Sequence, residues 1–264
     1  MKIGISTGCL YPMLTEDCIS TLTGIGFDTF EIFFNTFSEL EKDYLDKLKT
    51  HLERFGSSVV SIHPFTSSYE SFLLFSNYER RFLDGVSLYE MYFRAAQYIG
   101  ADKVVLHGLS TDYSSSLSNA EYCRRFELLQ KKAACYGVKL LQENVVRFRS
   151  GIPDFIMDMR EQIPESAFFV CDTKQAFRSG VTPLDEIKTM GKSLRHIHIS
   201  DNDINNKCVL PGKGRFDIEE FIKYLAGLKY DGDIIIEVYR FSFDKLSELT
   251  ESKEYLEYLV YKYF

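Results

Sequence analysis

Short apolar runs rich in β-branched and aromatic residues recur along the whole chain. They are "KIGIST" (2–7), "TFEIFF" (29–34), "SVVSIH" (58–63), "KVVLHG" (103–108), "VKLLQEN" (138–144), "AFFVCD" (167–172), "RHIHIS" (195–200) and "DIIIEVY" (233–239). Amphipathic, charge-bearing segments of helical period separate them, such as "SELEKDYLDKLKTHLERFG" and "NYERRFLDGVSLYEMYFRAAQYIG". These two close on Gly56 and Gly100, which predicts left-handed caps at the helix ends. Several runs are apolar on both faces, as expected of parallel strands covered by helices. Strand ends fall roughly 25–45 residues apart, room for one helix and two loops per unit. Eight such units without an intervening linker predict a closed (β/α)8 barrel, an α/β fold in one domain over 1–264. The competing open, doubly wound sheet would want a G-x-G-x-x-G turn after its first strand, and the sequence has none there.

The polar residues that interrupt this pattern fall at strand ends. His63, His107, Glu143, Asp172, His198 and Glu237 stand at or near the C-terminal ends of six successive strands. That is the end at which barrel active sites are built. Each taken alone is compatible with a hydrogen-bonded core residue, but a buried carboxylate such as Glu237 is costly without a partner. Six potential ligands on six consecutive strands, none in mid-helix, point to a shared site. Glu143, Asp172, His198 and Glu237 form an oxygen-rich set with one nitrogen, which suits manganese, magnesium or cobalt and admits zinc. Because side chains alternate along a strand, Cys171 faces away from Asp172, and His196 shares a face with His198 one step deeper. We read His196 as a structural residue or one that holds a ligand in place.

Composition narrows the classes of function. Of the 264 residues, 45% are hydrophobic and 26% charged, ordinary for a soluble globular chain. The formal charge of −7 argues against a nucleic-acid backbone as partner. Six cysteines (Cys9, Cys18, Cys123, Cys135, Cys171 and Cys208) lack C-x-x-C spacing and read as reduced thiols. No signal peptide and no run long enough for a membrane span is evident, so we expect a cytoplasmic protein. Of five histidines, His51 lies in a helical segment and is expected at the surface.

These motifs together resemble the xylose isomerase-like TIM-barrel superfamily, which includes sugar phosphate isomerases/epimerases and endonuclease IV-like relatives. The matching pieces run in family order: "GFDTFEIF" with Glu31, "SIHPF", "VVLHG", "LLQEN", "VCDTKQA", "HIHISDND", "LPGKGRFD" and "IIIEVY". The resemblance implies one divalent ion, manganese foremost, held by Glu143, Asp172, His198 and Glu237. It also implies that Glu143 and Glu237 act as acid/base partners on either side of a sugar. The expected reaction is isomerisation or epimerisation of a sugar or sugar phosphate by proton transfer through a metal-stabilised enediolate. His63 and His107 would bind substrate or, with Glu143, a second metal.

The sequence also departs from the family. Where D-x-x-H is frequent it reads Asp172, Thr173, Lys174, Gln175, placing Gln175 at a substrate-contacting position. Where D-x-H often precedes the P-G-x-G loop it reads Asn206, Lys207, Cys208. These are the positions that hold the third metal of the endonuclease branch, so a three-metal cluster is not expected, although a thiol such as Cys208 can bind zinc. An arginine that follows the seventh-strand histidine in ketose epimerases has no counterpart here. Lys174, Lys207, Lys213 and Arg215 are read as solvated loop charges in preference to a phosphate or carboxylate site. The alternatives to an isomerase are an endonuclease IV-like phosphodiesterase on abasic DNA, an inosose-dehydratase-like lyase, and a barrel that binds without turnover. A homo-oligomer is left open.

Overall fold

Eight parallel strands close on themselves in the computed structural model, which describes residues 1–205 and 207–264. They are β1 (Ile3–Ser6), β2 (Thr29–Phe33), β3 (Ser58–His63), β4 (Lys103–Leu106), β5 (Lys139–Glu143), β6 (Phe169–Asp172), β7 (Leu194–Ile199) and β8 (Asp233–Ile236). Each pairs with its sequence neighbours, and β8 returns to β1 to complete the ring. The eight apolar runs of the sequence are these strands, shorter by a residue or more at most ends.

Helices α1 (Thr15–Gly24), α2 (Lys42–Phe55), α3 (Ser67–Leu73), α4 (Glu79–Ile99) and α5 (Asn119–Ala134) cover the first half of the ring. Helices α6 (Pro153–Gln162), α7 (Thr173–Ser179), α8 (Pro183–Met190), α9 (Ile218–Gly227) and α10 (Ser247–Tyr263) cover the second. The expected caps are present: Gly56 has φ +63° and Gly100 φ +87° at the ends of α2 and α4. A short antiparallel pair, Asp201–Asn202 with Cys208–Val209, extends the loop after β7.

Strand alternation sorts the side chains into two populations. Phe30, Ile32, Phe169, Cys171, Ile197, Ile199, Ile234 and Ile236 join the main core between strands and helices. The opposite set fills the barrel, where Val105, Leu141 and Val170 form a separate small cluster. At the bottom of the barrel Lys103 is bridged to Asp102 (2.6 Å) and Asp233 (3.1 Å). All six cysteines are free, and five are buried. His51 lies on α2, half-buried against Ser20 (2.8 Å) and Phe55, away from the barrel mouth. Among the described residues, no helix is long and apolar enough to cross a membrane.

Helix α8 carries a buried liability. Glu186 is 1% exposed and its Oε1 has no hydrogen-bond partner. Loss of hydration pushes its carboxyl from an ordinary 4.5 up to about 7. A carboxyl raised in the folded state binds its proton more tightly there, so folding carries no penalty below the unfolded value. The penalty grows as pH rises through the interval and is complete above the folded value. Glu186→Gln should therefore stabilise the protein by up to ~3 kcal/mol at about pH 8, with the gain vanishing near about pH 4. Urea titrations at the two pH values check this.

Candidate metal centre and active site

The register of the barrel brings the strand-end residues to one level. His198 lies beside Asp172 on β6 and Ile235 on β8. Glu143 closes β5 and His63 closes β3. His107 follows β4 directly. Glu237 follows β8, its N–H still donating to Ile199 O (3.1 Å). As a result Glu143, Asp172, His198 and Glu237 each offer a ligand atom within 4.8 Å of the others. Two further groups among the described residues meet the same condition, His63–His107–Glu143 and Glu31–His196–His198, so Glu143 and His198 each belong to two groups.

The donor atoms are oriented by their other contacts. His198 Nε2 lies 2.9 Å from Glu31 Oε2, while its Nδ1 faces Glu143 Oε1 (3.3 Å) and Glu237 Oε2 (3.6 Å). The Glu31 carboxylate thus fixes Nε2 as a donor and turns Nδ1 toward the carboxylate cluster. Ser61 donates to Glu31 Oε2 (2.8 Å) and lies 3.1 Å from His196 Nε2. His196 is fully buried and its Nδ1 has no hydrogen-bond partner, while its Nε2 lies 3.6 Å from Glu31 Oε2. One Asp172 oxygen, Oδ1, caps α7 by accepting from Gln175 N–H (3.0 Å). The other, Oδ2, points inward without a hydrogen bond.

His63 Nδ1 lies 3.2 Å from Pro64 O, which assigns its proton there and leaves Nε2 facing His107 Nε2 (3.1 Å). His107 Nε2 is also 2.9 Å from Glu143 Oε2, an ion-pair contact without the alignment of a hydrogen bond. The loop that carries His107 is pinned at Gly108, whose N–H donates to the buried Glu70 (2.5 Å). Gly108 has φ +94°, and a Cβ there would run into the Tyr122 hydroxyl.

The electrostatics show a deficit of positive charge. Burial raises the Glu143 carboxyl, but the surrounding His107, His198 and His63 overrule it and hold it well below the usual range. Burial pushes Asp172 well above its ordinary value, and the charges of Glu237 and Glu143 add to this in spite of nearby Lys174. Burial raises Glu237 as well, yet Lys174 and His198 bring it down to about 2. His198 is lifted well above the normal imidazole value, with Glu31 and Glu237 outweighing its burial. A cluster of carboxylates that drives Asp172 and His198 to hold protons suits a divalent cation, which would replace those protons. Glu143 Oε2 and Asp172 Oδ2, buried and without a hydrogen bond, together with His198 Nδ1, fit such an ion.

Lys174 corrects one expectation. It is a buried partner of the cluster rather than a solvated loop charge, bonded to Glu237 Oε2 (2.8 Å) and 3.1 Å from Asp172 Oδ2. The reason is local: α7 begins directly at Asp172, so Lys174 sits in a helix turn over the barrel mouth. Lys213 is exposed and paired with Glu251, and Lys207 and Arg215 are exposed, as expected. Gln175 is half-buried, and its Oε1 accepts from Val146 N–H (3.3 Å). Cys208 is buried with Sγ 3.9 Å from Glu237 O, and Asn206 lies outside the described residues. Sequence reasoning gave Glu31 no role; the signal available was a carboxylate inside an apolar strand.

Above the cluster opens a cleft of about 410 Å³ lined by Tyr11, Phe33, Phe65, Lys174, Glu237 and Tyr239, among others. Glu237 reaches it with 17% of its side chain exposed, whereas Glu143 at 1% stays below. The two glutamates therefore sit at different depths.

A D-tagatose 3-epimerase-like protein superposes with a TM-score of 0.80 at 20% identity, covering 99% of this chain and 98% of that one. An L-ribulose 3-epimerase gives 0.80 at 15% identity, covering 99% and 95%. The IOLI protein, whose structure holds a zinc atom, gives 0.78 at 18% identity, covering 100% and 99%. At these identities the likeness establishes the fold. The family profile described as "Xylose isomerase-like TIM barrel" matches residues 21–259. With nearly the whole barrel inside that match, the chain belongs to the xylose isomerase-like TIM-barrel family.

Proposed function

We propose that this protein is a divalent-metal-dependent isomerase or epimerase of a sugar or sugar phosphate. The observation that carries the reading is the convergence of Glu143, Asp172, His198 and Glu237 within 4.8 Å, directly beneath an accessible cleft. Membership of the family and the likeness to structures named as sugar epimerases support it. Manganese is the proposed ion on the strength of the three carboxylates and single imidazole. A divalent ion bound there would polarise a substrate carbonyl and its neighbouring hydroxyl, acidifying the hydrogen on the carbon between them.

The chain's own residues divide the remaining work. Glu237 reaches the cleft and is held ionised, which supports it as the base that would remove the carbon-bound proton. Glu143, on the deeper side, would deliver a different proton to the opposite face, taken from the neighbouring His107 (2.9 Å), while the abstracted proton stays on Glu237. Glu31 keeps His198 in the tautomer that offers Nδ1. Phe33 and Phe65 give the cleft apolar walls, which would limit water beside a bound substrate. Incubation of candidate ketoses and their phosphates in deuterium oxide, with and without manganese, tests the reading. Metal-dependent deuterium uptake at a carbon next to the carbonyl is expected; its absence across a broad panel would remove the proposal.

Glu31→Gln gives a narrower prediction. The amide still accepts from Nε2 but carries no charge, so manganese affinity should fall between about 10- and 100-fold with the fold intact. Titration calorimetry measures it.

A second reading, a two-ion phosphodiesterase resembling endonuclease IV, is favoured by the His63–His107–Glu143 group. It requires incision of an abasic-site duplex that chelation abolishes. An inosose-dehydratase-like lyase shares the first proton abstraction, and loss of water from the product mass separates it.

A further inference from the structure

Lys174 places a protein-borne cation on the same oxygens that the cluster offers to a metal. Its ammonium lies 2.8 Å from Glu237 Oε2 and 3.1 Å from Asp172 Oδ2. Glu237 Oε2 is the oxygen facing His198 Nδ1, and Asp172 Oδ2 is the one left over from capping α7. A divalent ion that takes these two oxygens withdraws the negative charge that Lys174 depends on. An ammonium with 5% of its side chain exposed then needs another anion, because a buried charge without a partner is strongly unfavourable.

The surroundings indicate where that anion lies. Of the residues lining the cleft, Lys174 and Glu237 are the charged ones. The Lys174 ammonium stands 5.0 Å from the centre of the Tyr239 ring, and the Arg178 guanidinium, one helical turn on, stands 5.7 Å from the same ring. Arg178 also donates to the Tyr239 hydroxyl (3.1 Å). Lys174 and Arg178 stand at i and i+4 on α7, a spacing at which one anion can accept from both side chains.

We propose that the substrate is an anionic sugar, one whose phosphate or carboxylate is received by Lys174 and Arg178 once the metal has taken Asp172 and Glu237. The inference rests on the metal-dependent reading above and names its substrate class. Lys174 is thereby a specificity residue as well as the counter-ion of the metal-free site.

Titration calorimetry on the full-length protein tests it with three probes: manganese, then inorganic phosphate and acetate added to the manganese-loaded form. Lys174→Gln removes the competing ammonium, so manganese should bind about tenfold more tightly than to the parent protein. Phosphate, acetate or both should bind the loaded parent protein and bind loaded Lys174→Gln about tenfold more weakly, with Lys174→Arg restoring most of the loss. Which of the two anions binds identifies the group. Arg178→Gln, a change at a more exposed position, should weaken the same anion and guards against a folding defect in the first variant. Equal manganese affinity in parent and Lys174→Gln, with anion binding indifferent to the substitutions, overturns this inference alone. Failure of both proteins to bind manganese removes the proposed function and this inference together.

Discussion

Glu237→Gln is expected to abolish measurable proton exchange, a loss on the order of 10²–10⁴-fold, while the barrel stays folded. The carboxylate faces the cleft as the proposed base and is a partner of Lys174, and glutamine keeps its shape without its basicity. The substitution also leaves Lys174 with Asp172 alone, so thermal stability should fall modestly rather than collapse. Deuterium uptake followed by proton NMR, alongside a thermal melt, separates the two effects. Retained exchange in a folded variant would take Glu237 out of the mechanism.

His198→Ala is expected to have the largest effect on stability. Its ring links the deep carboxylate Glu31 to the cluster, with Nε2 2.9 Å from Glu31 and Nδ1 3.3 Å from Glu143. Removing it leaves a fully buried Glu31 with only Ser61 and the more distant His196 for company. The expected cost is about 3–5 kcal/mol, together with loss of manganese binding. Adding Glu31→Gln to His198→Ala should recover a large part of the stability, because the stranded charge is gone, but none of the metal affinity. Urea titrations of the single and double variants, paired with calorimetry, check both halves of this expectation. Equal stability of the two would contradict the pairing.

The barrel was legible because its evidence is periodic and repeated. Isoleucines alternating with His196 and His198 define two faces of a strand, and seven further runs of the same kind define the ring. The strand-end residues were legible for a related reason. A strand fixes which face a side chain takes, and parallel strands in a ring bring like-numbered ends to one rim. That reasoning placed Glu143, Asp172, His198 and Glu237 together without any knowledge of distances.

What stayed hidden depends on contacts between distant segments or on helix starts. Glu31 acquires its partner from 167 residues away, and local sequence cannot reveal that pairing. The place of Lys174 is hidden because "DTKQA" has the composition of a polar loop, whereas Asp172 ends a strand and caps a helix within one residue. That abrupt turn lifts the lysine over the carboxylates instead of into solvent. Gln175, expected to contact substrate, directs its carbonyl oxygen to Val146 N–H, a contact that residue type alone could not foretell.

The central claim is that one cation is shared by groups drawn from four strands of the barrel. Anomalous diffraction at the manganese edge, from crystals grown with manganese and without chelator, tests it most directly. The expected result is a peak enclosed by Glu143, Asp172, His198 Nδ1 and Glu237, with the Lys174 ammonium moved off Asp172 and Glu237. A site without such a peak, in which Lys174 still bridges the two carboxylates at saturating manganese, would contradict it.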